Sequence, residues 1–311
     1  MKAARIHQFG PPEVIDVDEI TRPEPGEGEI LVRTAFSGVA QWDALIRERK
    51  SVVDLELPII LGSDLAGTVE SLGPGVTEFK PGDQIYGVTN KQFCGAYAEY
   101  AIASAGMVAA KPESLNFAEA ASVPVVAVTA WQMLFDYAKV QVGQSVLIHG
   151  AGGNVGAYGV QLARLHGLHI YATAGPKDLE YVKEMGADVV VDYTTARFER
   201  VVPRVDAVID MVGGETQRRS FDVLNPNGIL VSVVSPFHNA PPGSPSIRSV
   251  FFLVDVTTAR LNLLTELFER KELKALVGTV LPLSDVRLAH QMLAGSRHAR
   301  GKIVLKVSEN G

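Results

Sequence analysis

The chain has 311 residues, 47% of them hydrophobic, enough for two ordinary domains with separate cores. Its formal charge of −6, with no long basic run, argues against a nucleic-acid-binding surface. No uninterrupted apolar run reaches the roughly 18 residues that a membrane span needs, and the lone Cys94 can form no internal disulfide or cysteine-rich zinc site.

The chain begins MKAARIHQFG, which lacks the apolar core of a secretion signal and reads directly into a strand. The cytoplasm is the expected compartment. Up to about residue 112 the texture is β-rich, with strands expected over 2–9, 29–38, 64–72, 84–88 and 96–102. Pro and Gly clusters such as Gly10-Pro11-Pro12 and Pro23-Glu24-Pro25-Gly26 separate them, and one helix is expected over 41–50. This pattern suggests a small closed or folded-over β domain. Residues 116–139 then turn apolar and helix-prone, with Asn116 as N-cap and Pro124 dividing two helices.

The stretch 145–175, SVLIHGAGGNVGAYGVQLARLHGLHIYATAG, reads as strand, glycine turn, helix and strand. Gly150, Gly153 and Gly156 recur at a spacing of three, with Gly152 between them, and Val155, Tyr158, Leu162 and Leu165 follow at helical spacing. This is the length and order of a dinucleotide-binding βαβ unit. One glycine permits the turn, another lets the backbone approach a pyrophosphate, and a third lets the helix sit on the sheet. Gly152, Gly153, Asn154, Val155 and Gly156 are therefore the expected pyrophosphate cradle, working through free N–H groups at the helix start.

Beyond it, helices near 177–185, 195–202 and 215–224 alternate with strands over 188–193, 206–212 and 229–234. That alternation predicts an α/β, doubly wound and mostly parallel sheet. Val212 and Gly213, then Val233 and Ser235, end strands of this sheet, where ligands of such folds bind. A loop over 236–245, an edge strand over 249–254, a helix over 258–271 and strands over 276–282 and 302–307 complete the chain. His149 is expected to be a buried, hydrogen-bonded histidine and Cys94 a half-buried small side chain.

Asp64-Leu65-Ala66-Gly67-Thr68-Val69-Glu70, with Gly73 and Pro81-Gly82-Asp83, resembles the signature of the medium-chain dehydrogenase/reductase superfamily. With GAGGNVGAYGVQLA, GADVVVDY and Gly301-Lys302-Ile303-Val304, the whole chain resembles that superfamily's quinone oxidoreductase branch. The resemblance implies a GroES-like β-rich catalytic domain from residues 1–122 and 273–311, with a Rossmann-type domain, 123–272, inserted. It also implies a homodimer joined through the edge strand containing Phe251 and Phe252. Zinc-dependent relatives carry a cysteine where this chain has Ala40, and Gly-His-Glu where it has Gly62-Ser63-Asp64. With two ligand positions lost, no metal is expected.

Without a Lewis acid, reversible alcohol oxidation is poorly supported. Hydride transfer from a nicotinamide to a quinone, or to the β-carbon of an enone or enal, asks less, because hydroquinone and enolate delocalise charge. The second strand of the dinucleotide unit ends Thr173-Ala174-Gly175-Pro176-Lys177, with no carboxylate before Asp178. NADPH is the expected cofactor, with Lys177 at its ribose phosphate and Thr173 among the cofactor-binding residues. The resemblance adds Tyr193 there, Thr129 beside the nicotinamide, and Phe251, Phe252 and Leu253 at the nicotinamide amide through main chain. It places Gln41 where a side-chain amide can bond the substrate or nicotinamide, while Asp43 and Asp64 read as structural carboxylates. The expected partner is a small quinone, enone or enal. An enoyl-thioester reductase and a non-catalytic NADPH-binding sensor or structural protein remain as alternatives.

Overall fold

The computed structural model describes residues 1–236 and 246–308. The chain divides into two compact units, Met1–Val125 with Val256–Gly311, and Val126–Asp255.

The first unit opens with β1 (Lys2–Ile6), β2 (Ile15–Glu19) and β3 (Glu29–Val39), then the short helix α1 (Gln41–Arg47). Next come β4 (Ile59–Ile60), β5 (Asp64–Leu72), β6 (Gln84–Val88), β7 (Tyr100–Ser104) and β8 (Val108–Ala110). β1 pairs antiparallel with β2 and β4, while β3 pairs antiparallel with both β5 and β7, residues 30–33 having a partner in each. A core of Ile30, Val32, Leu65, Val69, Ile85 and Val108 fills the curved sheet, each contributing the transfer energy of a fully buried branched side chain.

Helices α2 (Phe117–Ala121) and α3 (Pro124–Trp131) follow as the sequence indicates. The Asn116 side chain accepts from Glu119 N–H at 2.9 Å while Glu119 accepts from Asn116 N–H at 2.9 Å, a reciprocal cap. Pro124, lacking an N–H, opens α3 where none is needed. Past Trp131 the helix widens into a π-helical turn, Gln132–Ala138.

The second unit is an all-parallel six-stranded sheet. In chain order it holds β9 (Ser145–His149), α4 (Asn154–Leu165), β10 (His169–Ala174), α5 (Leu179–Glu184) and β11 (Val189–Asp192). Then come β12 (Val205–Asp210), α6 (Gly214–Ser220), β13 (Leu224–Ser232) and β14 (Arg248–Phe251). The strand order β11-β10-β9-β12-β13-β14 reverses at β9, which makes the crevice between the turns after β9 and β12 the ligand-binding point of such sheets. Residues 237–245, most of the loop expected over 236–245, lie outside the described part.

The chain re-enters the first unit at Val256, before α7 (Thr258–Glu269), and finishes with β15 (Val277–Pro282), α8 (Val286–Leu293) and β16 (Lys302–Lys306). The return expected at 273 is therefore too late. α7 belongs to the first unit because the Tyr86 hydroxyl donates to Leu261 O at 2.8 Å and Thr258 Oγ1 donates to Val108 O at 2.6 Å. β16 inserts beside β3 and completes a seven-stranded sheet, so both chain ends build one body. No helix among the described residues is long and apolar enough to cross a membrane.

Candidate active site

In the second unit β9 ends at His149, and Gly150 turns the chain at φ +72°, a conformation that costs glycine nothing. Gly153 N–H closes the turn on Gly150 O at 3.0 Å and Gly153 caps α4. A Cβ on Gly156 would stand 2.3 Å from Gly150 O and 2.7 Å from Ala151 Cα, so only glycine lets this helix rest on its own turn. The N–H groups of Asn154, Val155 and Gly156, in the first turn, have no acceptor within the helix. They form, with the helix dipole, a seat for a diphosphate, and the donor set fits a dinucleotide.

His149 is fully buried and uses both ring nitrogens, Nδ1 at 3.0 Å from Thr173 Oγ1 and Nε2 at 2.9 Å from Ser220 Oγ. Ser220 Oγ donates its proton to Thr216 O at 2.7 Å, so it accepts from Nε2–H, and Nδ1 accepts from Thr173. Burial pushes the imidazole pKa down to about 4, leaving it neutral and structural as expected. The same bond fixes the side chain of Thr173. Its side chain is 4% exposed with the hydroxyl turned inward to His149, so it reaches the turn only through its carbonyl, which accepts Ala151 N–H at 3.1 Å.

At the end of β10 the chain makes a 3-10 turn, Pro176–Asp178, with Lys177 exposed. The hydroxyl of Tyr193, a residue 65% exposed, stands 3.1 Å from where a Gly175 Cβ would be, so Tyr193 lies over the same corner. A group the sequence reading left aside joins them: the Asp178 carboxylate sits 2.8 Å from where a Gly152 Cβ would be. The carboxylate thus meets the glycine turn and the phenol the Gly175 corner.

The ends of β12, β13 and β14 form the next wall. Val212 and Gly213 N–H both donate to Asp210 Oδ1, at 3.0 and 2.9 Å, and Gly213 takes φ +75°. Asp210 is buried, and its other oxygen accepts from Gln217 Nε2 and Ser232 Oγ, so this carboxylate shapes the turn. A Gly213 Cβ would lie 3.0 Å from Val234 and 3.6 Å from Ser235 Oγ, which brings the two strand ends together. Val233 and Ser235 are half-buried, while Val212, Val234 and Leu253 are about half-exposed apolar side chains. Strand alternation alone does not say which of 233 and 234 faces out, and the structure turns Val234 outward. Phe251 is half-buried, but Phe252 is 7% exposed and its ring lies 4.2 Å from that of Tyr137, so only its backbone is available to a ligand. Thr129, on α3, is 5% exposed.

In the first unit Gln41 opens α1, exposed, and its amide donates to Leu293 O at 3.2 Å. Asp43 is fully buried, accepting from Ala40 N–H at 2.8 Å and from the Tyr97 hydroxyl at 2.7 Å through one oxygen. Burial raises its pKa to about 7 against the pull of those two bonds. Asp64 is buried too, 2.8 Å from Lys302 Nζ, and its Oδ1 accepts from Val125 N–H at 2.9 Å. Both carboxylates are built into the fold. Trp42 and Phe93 meet edge to face at 6.3 Å, and Cys94 is half-buried with its thiol pKa raised by burial. Ala40 and Ser63 supply no thiolate or imidazole, and among the described residues no cluster of three or more His, Cys, Asp or Glu could hold a metal ion.

Residues 26–113 match the model of the alcohol dehydrogenase GroES-like domain, and residues 185–305 that of a zinc-binding dehydrogenase. The quinone oxidoreductase of Sus scrofa is 31% identical over 98% of this chain and 97% of its own length. The chain belongs to the medium-chain dehydrogenase/reductase superfamily, in its quinone oxidoreductase branch. The quinone oxidoreductase of Coxiella burnetii superposes with a TM-score of 0.90 at 31% identity, covering 99% of both chains. That of Escherichia coli, solved in complex with NADPH, gives 0.88 at 26% identity, covering 98% of this chain and all of the other. The family binds nicotinamide cofactors, and the chain is accordingly an oxidoreductase. Among the described residues, no group of three or more His, Cys, Asp or Glu could hold the zinc that the matched description names.

Proposed function

We propose that this protein transfers hydride from NADPH to a quinone or an α,β-unsaturated carbonyl compound without a metal. The observation that carries the reading is the donor set at Ala40 and Ser63, which leaves carbonyl polarisation to hydrogen bonds. When bound, NADPH supplies the hydride and its two electrons; one proton from water completes the hydroquinone or the saturated carbonyl.

The protein's part is binding and orientation. Asn154, Val155 and Gly156 N–H groups hold the diphosphate, while Gly152 and Gly153 keep side chains out of its way. Lys177 and Tyr193 take the ribose phosphate, and Val212, Gly213, Val233 and Ser235 line the crevice. The backbone of Phe251, Phe252 and Leu253 orients the nicotinamide amide, with Thr129 offering the small open edge of its side chain. Gln41 has a second amide N–H beyond the one on Leu293 O, and this one bonds the acceptor carbonyl. β14 is a sheet edge and is proposed to join two copies into a homodimer. Light scattering on the purified chain tests that state: a mass of two chains supports it, one chain refutes it.

One observation favours a second reading, NADH in place of NADPH. The Asp178 carboxylate at Gly152 could accept from a free ribose hydroxyl and would repel a phosphate. Titrating both nucleotides against wild type and Asp178→Asn separates the two readings. Tighter NADPH binding supports the proposal, and tighter NADH binding that Asp178→Asn abolishes replaces it. Following NADPH oxidation with a panel of quinones, enals and enoyl thioesters tests the reaction itself. Turnover of quinones or enals is expected; turnover of enoyl thioesters alone, or of nothing, would reject it.

A further inference from the structure

The π-helical turn Gln132–Ala138 is unexplained by the assignments above. Such turns are rare and arise where one extra residue is accommodated in a helix, often at functional sites. Lys139 N–H reaches back to Leu134 O, the i to i−5 bond of this geometry, and Lys139 itself ends the turn at φ +55°.

The widened turn changes which side chains share a face. In an α-helix, residues five apart point about 140° from one another. With i to i+5 bonding the turn is wider and the angle between them narrows to well under that. Gln132 and Tyr137 are five apart, and both engage the segment that follows β14. Gln132, 1% exposed, accepts Asp255 N–H through its amide oxygen at 3.0 Å. The Tyr137 ring lies 4.2 Å from that of Phe252 at an interplanar angle of 30°. Residues 252–255 have no regular structure of their own, and the Phe252 N–H bond to Ser232 O is long at 3.4 Å. Their placement therefore leans on the helix.

We propose that Gln132 and Tyr137 are positioning residues, which hold the 252–255 backbone where it meets the nicotinamide end of the cofactor. The inference rests on the nicotinamide reading of Phe251–Leu253 and adds what sets that segment's place. The π-turn is what lets one helix face present both groups.

The test uses Gln132→Leu and Tyr137→Leu, with Gln132→Glu and Tyr137→Phe as conservative partners that keep the acceptor and the ring. Amide hydrogen exchange over 250–256 should rise about fivefold in the two leucine variants, the yield of one hydrogen bond or ring contact. NADPH affinity, read by fluorescence titration, should weaken by a similar factor, while 2′-phospho-ADP-ribose, which lacks the nicotinamide, should bind unchanged. The conservative variants should restore both readouts. Equal weakening toward the two ligands, or unchanged affinity despite faster exchange, would overturn the inference. A wild-type protein that does not bind NADPH would instead overturn the function reading beneath it.

Discussion

The two units of the chain are built on opposite principles. In the second unit the cofactor turn is a backbone device, in which Gly150 supplies a positive φ and Gly156 a missing Cβ. The first unit relies instead on a buried side-chain device. Asp43, Tyr97, Asp64 and Lys302 are all at most 2% exposed and tie together α1, β5 and β16. The backbone device fails by steric clash and the side-chain device when one charge loses its partner, so the two should respond differently to substitution.

The largest effect is expected at Lys302. Lys302→Met leaves Asp64 buried without its cation and should cost about 3–5 kcal/mol by urea denaturation. A loss under 1 kcal/mol would show that the pair is not what holds the first unit. Acid comes next, with a sign that separates the units. The folded pKa of His149 is depressed to about 4, so its stabilising effect is complete above about 6.5 and is lost as pH falls toward 4. That loss amounts to about 3 kcal/mol in the second unit. In the first unit His290, lowered to about 3 by burial and by Arg47, acts in the same direction. Asp43, raised to about 7, opposes it: its contribution is complete below about 3.8 and is lost as pH rises through 7. Between pH 4 and 6.5 the two cancel, so the first unit should be nearly flat in pH while the second weakens. Asp43→Asn should make the first unit acid-sensitive as well; unfolding followed by hydrogen exchange in each unit reads this, and an unchanged slope would contradict the pairing.

Gly156→Ala tests the backbone device. Alanine is the better helix former, yet here its Cβ meets Gly150 O, so about 2 kcal/mol of stability should be lost, with weaker NADPH binding. A stabilised variant with intact binding would show that the turn yields more readily than the geometry implies. The smallest effect belongs to Lys177→Ala, which should weaken NADPH about tenfold and leave NADH unchanged in fluorescence titration. Equal changes for both nucleotides would remove Lys177 from the phosphate corner.

What could be read from the sequence follows the same division. The glycine turn and the parallel sheet were legible because their requirements are local: strand, turn and helix lie within 30 or so residues. β5 and β6 were placed to the residue, since Gly62 and Gly73 bracket the first and Pro81-Gly82 precede the second. Four elements escaped. β2 and β8 are short runs that alternate too briefly to stand out, and β4 is a two-residue pairing. α8 does carry a helical spacing, Val286, Ala289, His290 and Leu293, which could have been found.

Which way the Thr173 hydroxyl turns could not be read from its place at a strand end, since its partner His149 lies 24 residues earlier. Asp178 was visible one residue past Lys177, but its approach to Gly152 depends on a 3-10 turn that shortens the path. Gln132 had no signal at all, since its partner is 123 residues away and the π-turn reads in sequence as ordinary helix. The link between Gln41 and Leu293 spans 252 residues and is of the same kind.

The central claim is hydride transfer without zinc, and one measurement addresses it directly. The purified protein is stripped with a strong chelator, its zinc content determined, and NADPH oxidation by a quinone measured before and after. The account predicts an unchanged rate at far less than one zinc per chain, and no gain when zinc is returned. A rate that falls with the metal and recovers with it would contradict the reading of Ala40 and Ser63.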